Sequence, residues 1–449
     1  MTEGDPFERR PNRTFAALTL PLFFSLIAEP MTALVDTAFI ARLGSLPLAA
    51  LGAAATLISS LYWVFNFIGI GAQTEVAHAR GLRDAASASE TAGVALALGL
   101  AAGTALTVMA APIADILVAL MGTTGEASEQ AALYFRIRLL GAPAVVVTLA
   151  SFGALRGDHD MRAPLWIALA TNLTNLVLDP ILIFGLGPAP ALGLAGAAWA
   201  STAAQWLGGG IAVASVVRRL GVPPRPDWAR ARAFLVVGRD LVMRTATLLF
   251  FLALATRAAN RLGTEAGAAH QSVRQVFVFT AFVLDAYGIA AQSLIGTYLA
   301  SGQTALARRV ALVSCGWGLA TGAILWLTML GLSGAAAALL VPPEARATFA
   351  SAWVFAAAAQ PASALAFVTD GIHWGASDYG YLRNAMLAST VLVGAVLLAG
   401  DTGQNLTLAN IWLMILCWNS IRALFGVLRV WPGIGHAPLR PNAPIPAAS

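Results

Sequence analysis

Long apolar blocks, separated by short polar, glycine or proline breaks, recur along the whole chain. A helix needs about 20 apolar residues to cross a bilayer, whereas a transmembrane barrel would show short alternating segments. The pattern therefore predicts an all-α polytopic membrane protein. The twelve predicted helices lie at residues 14–41, 46–76, 88–116, 129–155, 163–187, 192–217, 233–260, 266–299, 305–330, 347–374, 380–399 and 405–430.

Prolines inside these blocks predict bends, because each proline removes one backbone hydrogen bond from a helix. Pro21 and Pro30 lie in the first predicted helix and Pro361 in the tenth. The residues after Pro432 are rich in proline and alanine, and we expect them to be disordered.

The composition excludes an ordinary soluble domain. The 449 residues are 58% hydrophobic and 11% charged, against about 25% charged in soluble proteins. Cys315 and Cys417 are isolated within apolar blocks and predict neither a disulfide nor a metal site. The sequence contains no Walker loop, zinc-spaced His/Cys set or nucleophile elbow. We therefore expect no enzyme activity and no cofactor.

Arginines concentrate in alternate loops, which indicates the cytoplasmic side of the membrane. The net charge of +5 is spread over these loops and forms no nucleic-acid-binding patch. The distribution predicts a multi-pass protein of the cell (inner or plasma) membrane with both termini in the cytoplasm. The arginines concerned are Arg9, Arg10, Arg13, Arg80, Arg83, Arg156, Arg162, Arg218, Arg219, Arg225, Arg230, Arg232, Arg308, Arg309 and Arg383.

The two halves of the sequence resemble each other. The Arg-Leu-Gly of residues 42–44 recurs at 261–263, and GALRGDHD at 153–160 corresponds to GIHWGASD at 371–378. Six helices in each half make the repeats parallel, about an axis along the membrane normal. Two matched bundles suit alternating access and predict a transporter; a duplication kept only for packing is the alternative. The predicted domains are an N-terminal segment at 1–13, an N-lobe at 14–217, a linker at 218–232, a C-lobe at 233–430 and a tail at 431–449.

Few ionisable residues fall inside the predicted helices, and such residues mark functional sites by default. Glu29 and Asp36 lie seven residues apart on one face of the first helix. Asn172, Asn175 and Asp179 share one face of the fifth. Carboxylate and amide oxygens suit a hard cation such as Na⁺ or a carried proton; asparagines that only join helices are the alternative. Asp36, Asn175 and Asp179 are the main candidates, and Glu29 and Asn172 are additional ones.

The second half carries different acids. Asp285 and Asp370 lie in its helices, and their repeat counterparts are Asn66 and Phe152. This asymmetry favours a division of labour, with a coupling cation in one half and substrate in the other. His373 lies three residues after Asp370, where it could share the Asp370 proton; an interior histidine that only satisfies its own hydrogen bonds is the alternative.

Two further residues are candidates for the substrate pathway. Tyr62 belongs to an aromatic group that could face flat cationic molecules or form an interfacial belt. Gln292 is the repeat counterpart of Gln73, so hydrogen bonding or packing in both halves is the favoured interpretation.

Several of these segments are motifs of a known family. Residues 29–44, 155–164 and 175–201 resemble the multidrug and toxic compound extrusion (MATE) family, and 370–383 resembles its DinF-like branch. The resemblance extends over residues 14–430. It implies a twelve-helix antiporter of two six-helix lobes that exports cationic or amphipathic molecules in exchange for H⁺ or Na⁺.

The resemblance also implies a cation site in the N-lobe. Thr202, next to Ser201, is the alternative hydroxyl, since related proteins often have threonine there. Gln292 stands where some relatives have glutamate, which favours H⁺ over Na⁺. The implied ligands are Asp36, Asn175, Asp179 and Ser201.

A flippase of lipid-linked precursors is the nearest rival. It would need several arginines inside the spans facing a pyrophosphate. We otherwise expect a monomer whose partners are small-molecule substrates and the lipid bilayer. The arginine candidates for the flippase are Arg136, Arg138, Arg244, Arg257 and Arg274.

Overall fold

The computed structural model describes residues 5–187, 190–223, 227–402 and 406–440, except for the side chains of Glu29, Trp228 and Thr402. All regular secondary structure in these ranges is helical. Eleven helical segments there are long and apolar enough to cross a membrane, and one bent pair makes a twelfth candidate span. The prediction of an all-α polytopic membrane protein is confirmed.

Each of the twelve predicted segments overlaps a helix or a helix pair. The first half contains α1 (Pro6–Arg9), α2 (Pro11–Ala41), α3 (Ser45–Val64), α4 (Asn66–Gly81), α5 (Ala85–Ala110), α6 (Ala114–Ala119), α7 (Gly125–Leu139), α8 (Ala142–Gly157), α9 (Arg162–Phe184) and α10 (Leu194–Leu220). The second contains α11 (Trp228–Arg261), α12 (Thr264–Ala300), α13 (Thr304–Gly331), α14 (Ser333–Leu340), a 3₁₀ helix (Pro343–Ala345), α15 (Arg346–Gly375), α16 (Tyr379–Thr402) and α17 (Leu408–Val430).

The chain forms two compact units. The first unit is Phe24–Gly238, and the second unit comprises the described residues of Met1–Phe23 and Arg239–Ala448. Within the second unit, the N-terminal residues are tied to α12 and α13: the Tyr298 hydroxyl donates to Asp5 (2.8 Å), and the Trp317 indole donates to Asn12 (3.1 Å).

Two spans predicted as single helices are broken. The second span divides at Phe65 between α3 and α4, and the fourth bends by 49° between α7 and α8. Pro143 explains the second break, because it lacks a backbone N–H and fits the first turn of a new helix.

The sequence repeat is also a repeat of helix contacts. Gly153 on α8 lies so close to Gly69 on α4 that a Cβ at Gly153 would overlap the Gly69 backbone. Gly371 on α15 and Gly288 on α12 make the equivalent contact in the second unit. Only glycine permits such a close backbone approach. The matching glycines therefore fix the same helix crossing in each unit.

The expectation of a disordered segment after Pro432 is wrong for residues 432–440. Leu439 is buried, and its carbonyl accepts from Arg308 at 3.1 Å. Arg429 donates to the carbonyls of Ile434 (2.5 Å) and His436 (3.1 Å). Arginines that bind these carbonyls order the segment despite its composition. Residues 441–449 lie outside the described ranges.

Candidate functional site

Sequence signals at both ends of α9 define where this helix, which carries a polar face, begins and ends. Asp160 Oδ1 accepts from the backbone N–H groups of Arg162 (3.1 Å) and Ala163 (3.0 Å), which caps the first turn. The helix ends at Gly185, whose φ of +73° is the left-handed conformation that terminates many helices. Between these points Asn175 and Asp179 lie one turn apart and are both buried.

Four of the predicted ligands meet inside the first unit. Asn175 Nδ2 donates to Ser201 Oγ on α10 (3.2 Å) and to Asp179 Oδ1 (3.4 Å). The carboxyl groups of Asp36 on α2 and Asp179 lie within reach of each other. An ionised carboxylate only accepts hydrogen bonds. A hydrogen bond between Asp36 and Asp179 would therefore require one of them to be protonated.

Three oxygens of this cluster have no hydrogen-bond donor among the described residues, although all three are buried. They are Asp36 Oδ1, Asn175 Oδ1 and Asp179 Oδ2. Buried polar atoms are normally satisfied, so the cluster has spare capacity for a proton, a water or a small cation. Carboxylate, amide and hydroxyl oxygens are also ligands that Na⁺ accepts.

A cation of the protein stands next to the acids. Arg138, near the end of α7, acts electrostatically on both Asp36 and Asp179. Its Nη1 donates to Gln205 Oε1 on α10 at 2.8 Å. The sequence placed Arg138 only among the arginines of a flippase and did not connect it with the acids.

Four consecutive carbonyls at the break between α7 and α8 accept hydrogen bonds from side chains. Thr202 donates to the Ile137 carbonyl (3.1 Å), and Tyr62 to that of Arg138 (3.1 Å). The carbonyls of Leu139 and Leu140 accept from Thr107 (2.6 Å) and Trp206 (3.0 Å). The carbonyls of Ile137 and Arg138 also accept from backbone N–H groups, so the side chains add a second hydrogen bond there.

The two adjacent hydroxyls on α10 have different hydrogen-bond partners. Ser201 bonds Asn175, whereas Thr202 faces the broken helix. Tyr62, a predicted substrate-pathway residue, holds the same break with its hydroxyl. Asn172 lies half-buried on α9, one turn before Asn175. Glu29, the other additional candidate, has a side chain outside the described residues.

The second unit holds a different buried cluster. Asp370 Oδ2 accepts from Arg244 on α11 and from Arg422 on α17, the latter at 2.8 Å. All three side chains are at most 8% exposed. Arg422 was not among the residues predicted from the sequence, although an arginine inside an apolar helix is itself a signal of function.

The other candidates of this unit lie on α12 and α15. The expected partnership of His373 with Asp370 is replaced by one with Asp378, whose Oδ2 lies 3.4 Å from His373 Nδ1. Asp285 is half-buried on α12, and Gln292 is buried on the same helix. No role in a substrate pathway follows from these placements alone, so that role stays a prediction.

Comparison with known proteins connects this geometry to a family. The MatE family model matches residues 21–181. Protein DETOXIFICATION 44, chloroplastic, of Arabidopsis thaliana is 32% identical, covering 98% of this chain and 87% of that protein. DNA damage-inducible protein F of Escherichia coli is 30% identical over 62% of each chain. A crystal structure of MATE in complex with MaL6 has the same fold, with a TM-score of 0.84, 21% identity, and coverage of 93% of this chain and 95% of that one.

Proposed function

Because this chain belongs to the MATE family of multidrug and toxic compound efflux transporters, we propose that it exports cationic or amphipathic small molecules in exchange for protons. It is a transporter rather than an enzyme. The observation that carries proton coupling is the closeness of the Asp36 and Asp179 carboxyls, which can hydrogen-bond each other only when one of them holds a proton.

Arg138 favours H⁺ over Na⁺ as the coupling ion. Na⁺ would add a positive charge beside the guanidinium, and like charges in a site of low dielectric repel strongly. A proton converts one carboxylate to a neutral acid and leaves a single negative charge facing Arg138. The oxygen set itself fits either ion, so Na⁺ is the second candidate.

The proposed cycle uses the contact between α2 and α9. With one proton bound, Asp36 and Asp179 hold the two helices together. After the proton leaves, two carboxylates face each other and their repulsion drives α2 away from α9. Protonation from the outer side restores the contact, alters the packing of the proline-containing α2 and expels the substrate. Only a differential interaction of this kind can bias two conformations.

Proteoliposomes with imposed gradients test the proposal. We expect a pH gradient to drive export of a cationic dye such as ethidium in Na⁺-free buffer, and the Asp36→Asn variant to lose about tenfold or more in rate. Asp115→Asn is the matched control, because Asp115 makes an exposed ion pair with Arg136 at 2.5 Å. Normal export by Asp36→Asn, or export that requires Na⁺, would contradict proton coupling through this pair.

The flippase of lipid-linked precursors is the alternative function, and Arg244 is the observation in its favour, because it lies buried within a span. Arg136, by contrast, is paired with the exposed Asp115. Transbilayer movement of a fluorescent lipid pyrophosphate in the same vesicles would separate the two functions.

We further propose that the protein is a monomer in the cell (inner or plasma) membrane. We also propose that both termini lie in the cytoplasm, because arginines concentrate in the loops on the same side of the membrane as the termini. Protease protection of terminal tags in oriented vesicles would test the placement of the termini.

A further inference from the structure

The buried cluster of the second unit, Arg244, Asp370 and Arg422, contains two positive charges and one negative charge. Arg244 and Arg422 are each 6% exposed, and Asp370 is 5% exposed. The charges that act on Arg422 are the Asp370 carboxylate and the Arg244 guanidinium. A buried charge without a counter-charge is costly, and in this cluster two guanidiniums share a single carboxylate.

The hydrogen bonds of the cluster are also uneven. Both arginines donate to the same atom, Asp370 Oδ2, while Arg422 Nη1 also donates to Asn419 at 3.0 Å. The Nε atoms of Arg244 and Arg422 are buried and lack an acceptor among the described residues. Two convergent guanidiniums with spare donors match an oxyanion, which accepts several such bonds at once.

Aromatic rings hold the two guanidiniums in place. Arg244 lies over the Trp374 ring at 5.1 Å, and Arg422 lies over Trp418 at 4.7 Å and Phe367 at 5.6 Å. Stacking fixes the guanidinium planes and lowers the entropy lost when a ligand binds. Three helices, α11, α15 and α17, thus contribute to a rigid site.

The cluster is not part of the duplicated framework. The counterpart of Asp370 in the first half is Phe152, whereas the glycine crossing beside it is present in both halves. The helix packing common to both units therefore does not depend on this ion cluster. Its presence in one unit alone indicates a task specific to that unit.

We propose that Arg244 and Arg422 form a binding site for an oxyanion group, a carboxylate or phosphate, of the transported molecule, and that Asp370 occupies this site when substrate is absent. The proposal rests on the proposed transport function and adds an anionic group to the substrates that this chain recognises. An incoming oxyanion displaces Asp370 Oδ2 from the guanidiniums and uses their unpaired Nε–H groups.

Binding of benzoate and of inorganic phosphate to the purified full-length protein tests the proposal and separates the two oxyanion types. We expect saturable binding of at least one probe by calorimetry. Arg244→Gln and Arg422→Gln should each weaken it about tenfold, the loss expected for one charge-assisted hydrogen bond. Arg257→Gln, on the same helix as Arg244 but with an exposed side chain, should bind normally.

Asp370→Asn distinguishes a binding site from a structural ion cluster. If Asp370 competes with the ligand, its neutralisation should tighten oxyanion binding about tenfold, and the probe should raise the melting temperature of Asp370→Asn more than that of the unmodified protein. A cluster that serves only packing would give a destabilised variant that no oxyanion rescues. That result, the absence of saturable binding, or an equal loss in Arg257→Gln would overturn the proposal.

The same preparations keep this inference separate from the proposed function. Oxyanion binding with no dye export by the unmodified protein would reject proton-driven efflux and leave the site intact. Normal dye export without any oxyanion binding would reject the site and leave the proposed function intact.

Discussion

The carboxyl groups of Asp36 and Asp179 lie within reach of each other, although one is on α2 and the other on α9. Such a pair has two states that differ in charge, because one shared proton neutralises one of the two carboxylates. In the proposed cycle, the proton joins the two helices and its loss separates them. Under that proposal, proton binding and helix packing are coupled at this position.

Ser201 should affect transport more than its neighbour Thr202. Ser201→Ala removes the hydroxyl that orients the Asn175 amide, and one hydrogen bond contributes about 1 kcal/mol. We expect a roughly fivefold slower pH-driven export in proteoliposomes. Thr202→Val should keep the coupling but lower the melting temperature, because it removes the side-chain hydrogen bond that the Ile137 carbonyl accepts at the helix break. The reverse pattern would place the functional hydroxyl on Thr202.

Arg138 should set the pH range of transport. Its positive charge favours the ionised carboxylates, so Arg138→Gln should make Asp36 and Asp179 hold their proton more strongly. We expect the pH profile of dye export to move to higher pH. Arg136→Gln, two residues earlier and half-exposed, is the control, and its profile should not move. An unchanged profile in Arg138→Gln would show that the guanidinium is screened from the acids.

Asp378 should stabilise the second unit in a pH-dependent way. Burial alone would raise the pKa of Asp378, but hydrogen bonds and charge from His373 and Arg429 lower it overall. A carboxyl whose folded-state pKa is lowered contributes stability above its ordinary pKa of about 4, and that stability is lost as the pH falls through the lowered value. Asp378→Asn should therefore cost about 2 kcal/mol near pH 7 and much less near pH 3.

Thermal unfolding of the purified protein at both pH values measures this difference. Asp115→Asn, an exposed carboxylate, should change the melting temperature little at either pH. A penalty in Asp378→Asn that is equal at both pH values would mean that lost packing, and not charge, is its cause.

Gly371 should tolerate no side chain. Gly371→Ala places a methyl group against the Gly288 backbone, and overpacking of this kind costs about 1–3 kcal/mol. Gly316→Ala on α13 is the matched control, because no other atom lies within 4 Å of the added Cβ. Alanine should stabilise α13 there by about 0.5–1 kcal/mol. Melting temperatures that fall equally in both variants would contradict the close crossing.

Local periodicity was sufficient to predict part of the first site. The spacing of four between Asn175 and Asp179 put them on one face of α9, and the hydrogen bond between them confirms that placement. The meeting of this face with Asp36 and Ser201 came only from the family resemblance, because no pattern within one helix specifies its neighbour. The role of these residues in cation coupling stays a prediction.

Long-range contacts account for what the sequence did not predict. Arg138 lies at a break between two helices. The hydropathy of the sequence predicts one continuous span there, so the closeness of Arg138 to Asp36 and Asp179 was not predicted. Asp158 pairs with Arg80 (2.6 Å) and Arg219 (2.5 Å), which are distant from it in sequence. Charged side chains pair with the groups that the fold brings close to them. The order of residues along the chain does little to specify these pairs.

At the glycine crossings of α4 with α8 and of α12 with α15, the main chains of the two helices meet directly. The spacing at Gly153 and Gly371 is therefore set by backbone atoms rather than by the side chains that line the interior nearby. Exchanges such as Phe152 for Asp370 can then accumulate without shifting the helices at these points. A transporter built in this way can acquire a new ligand preference in one half while the opposite half keeps its own polar cluster.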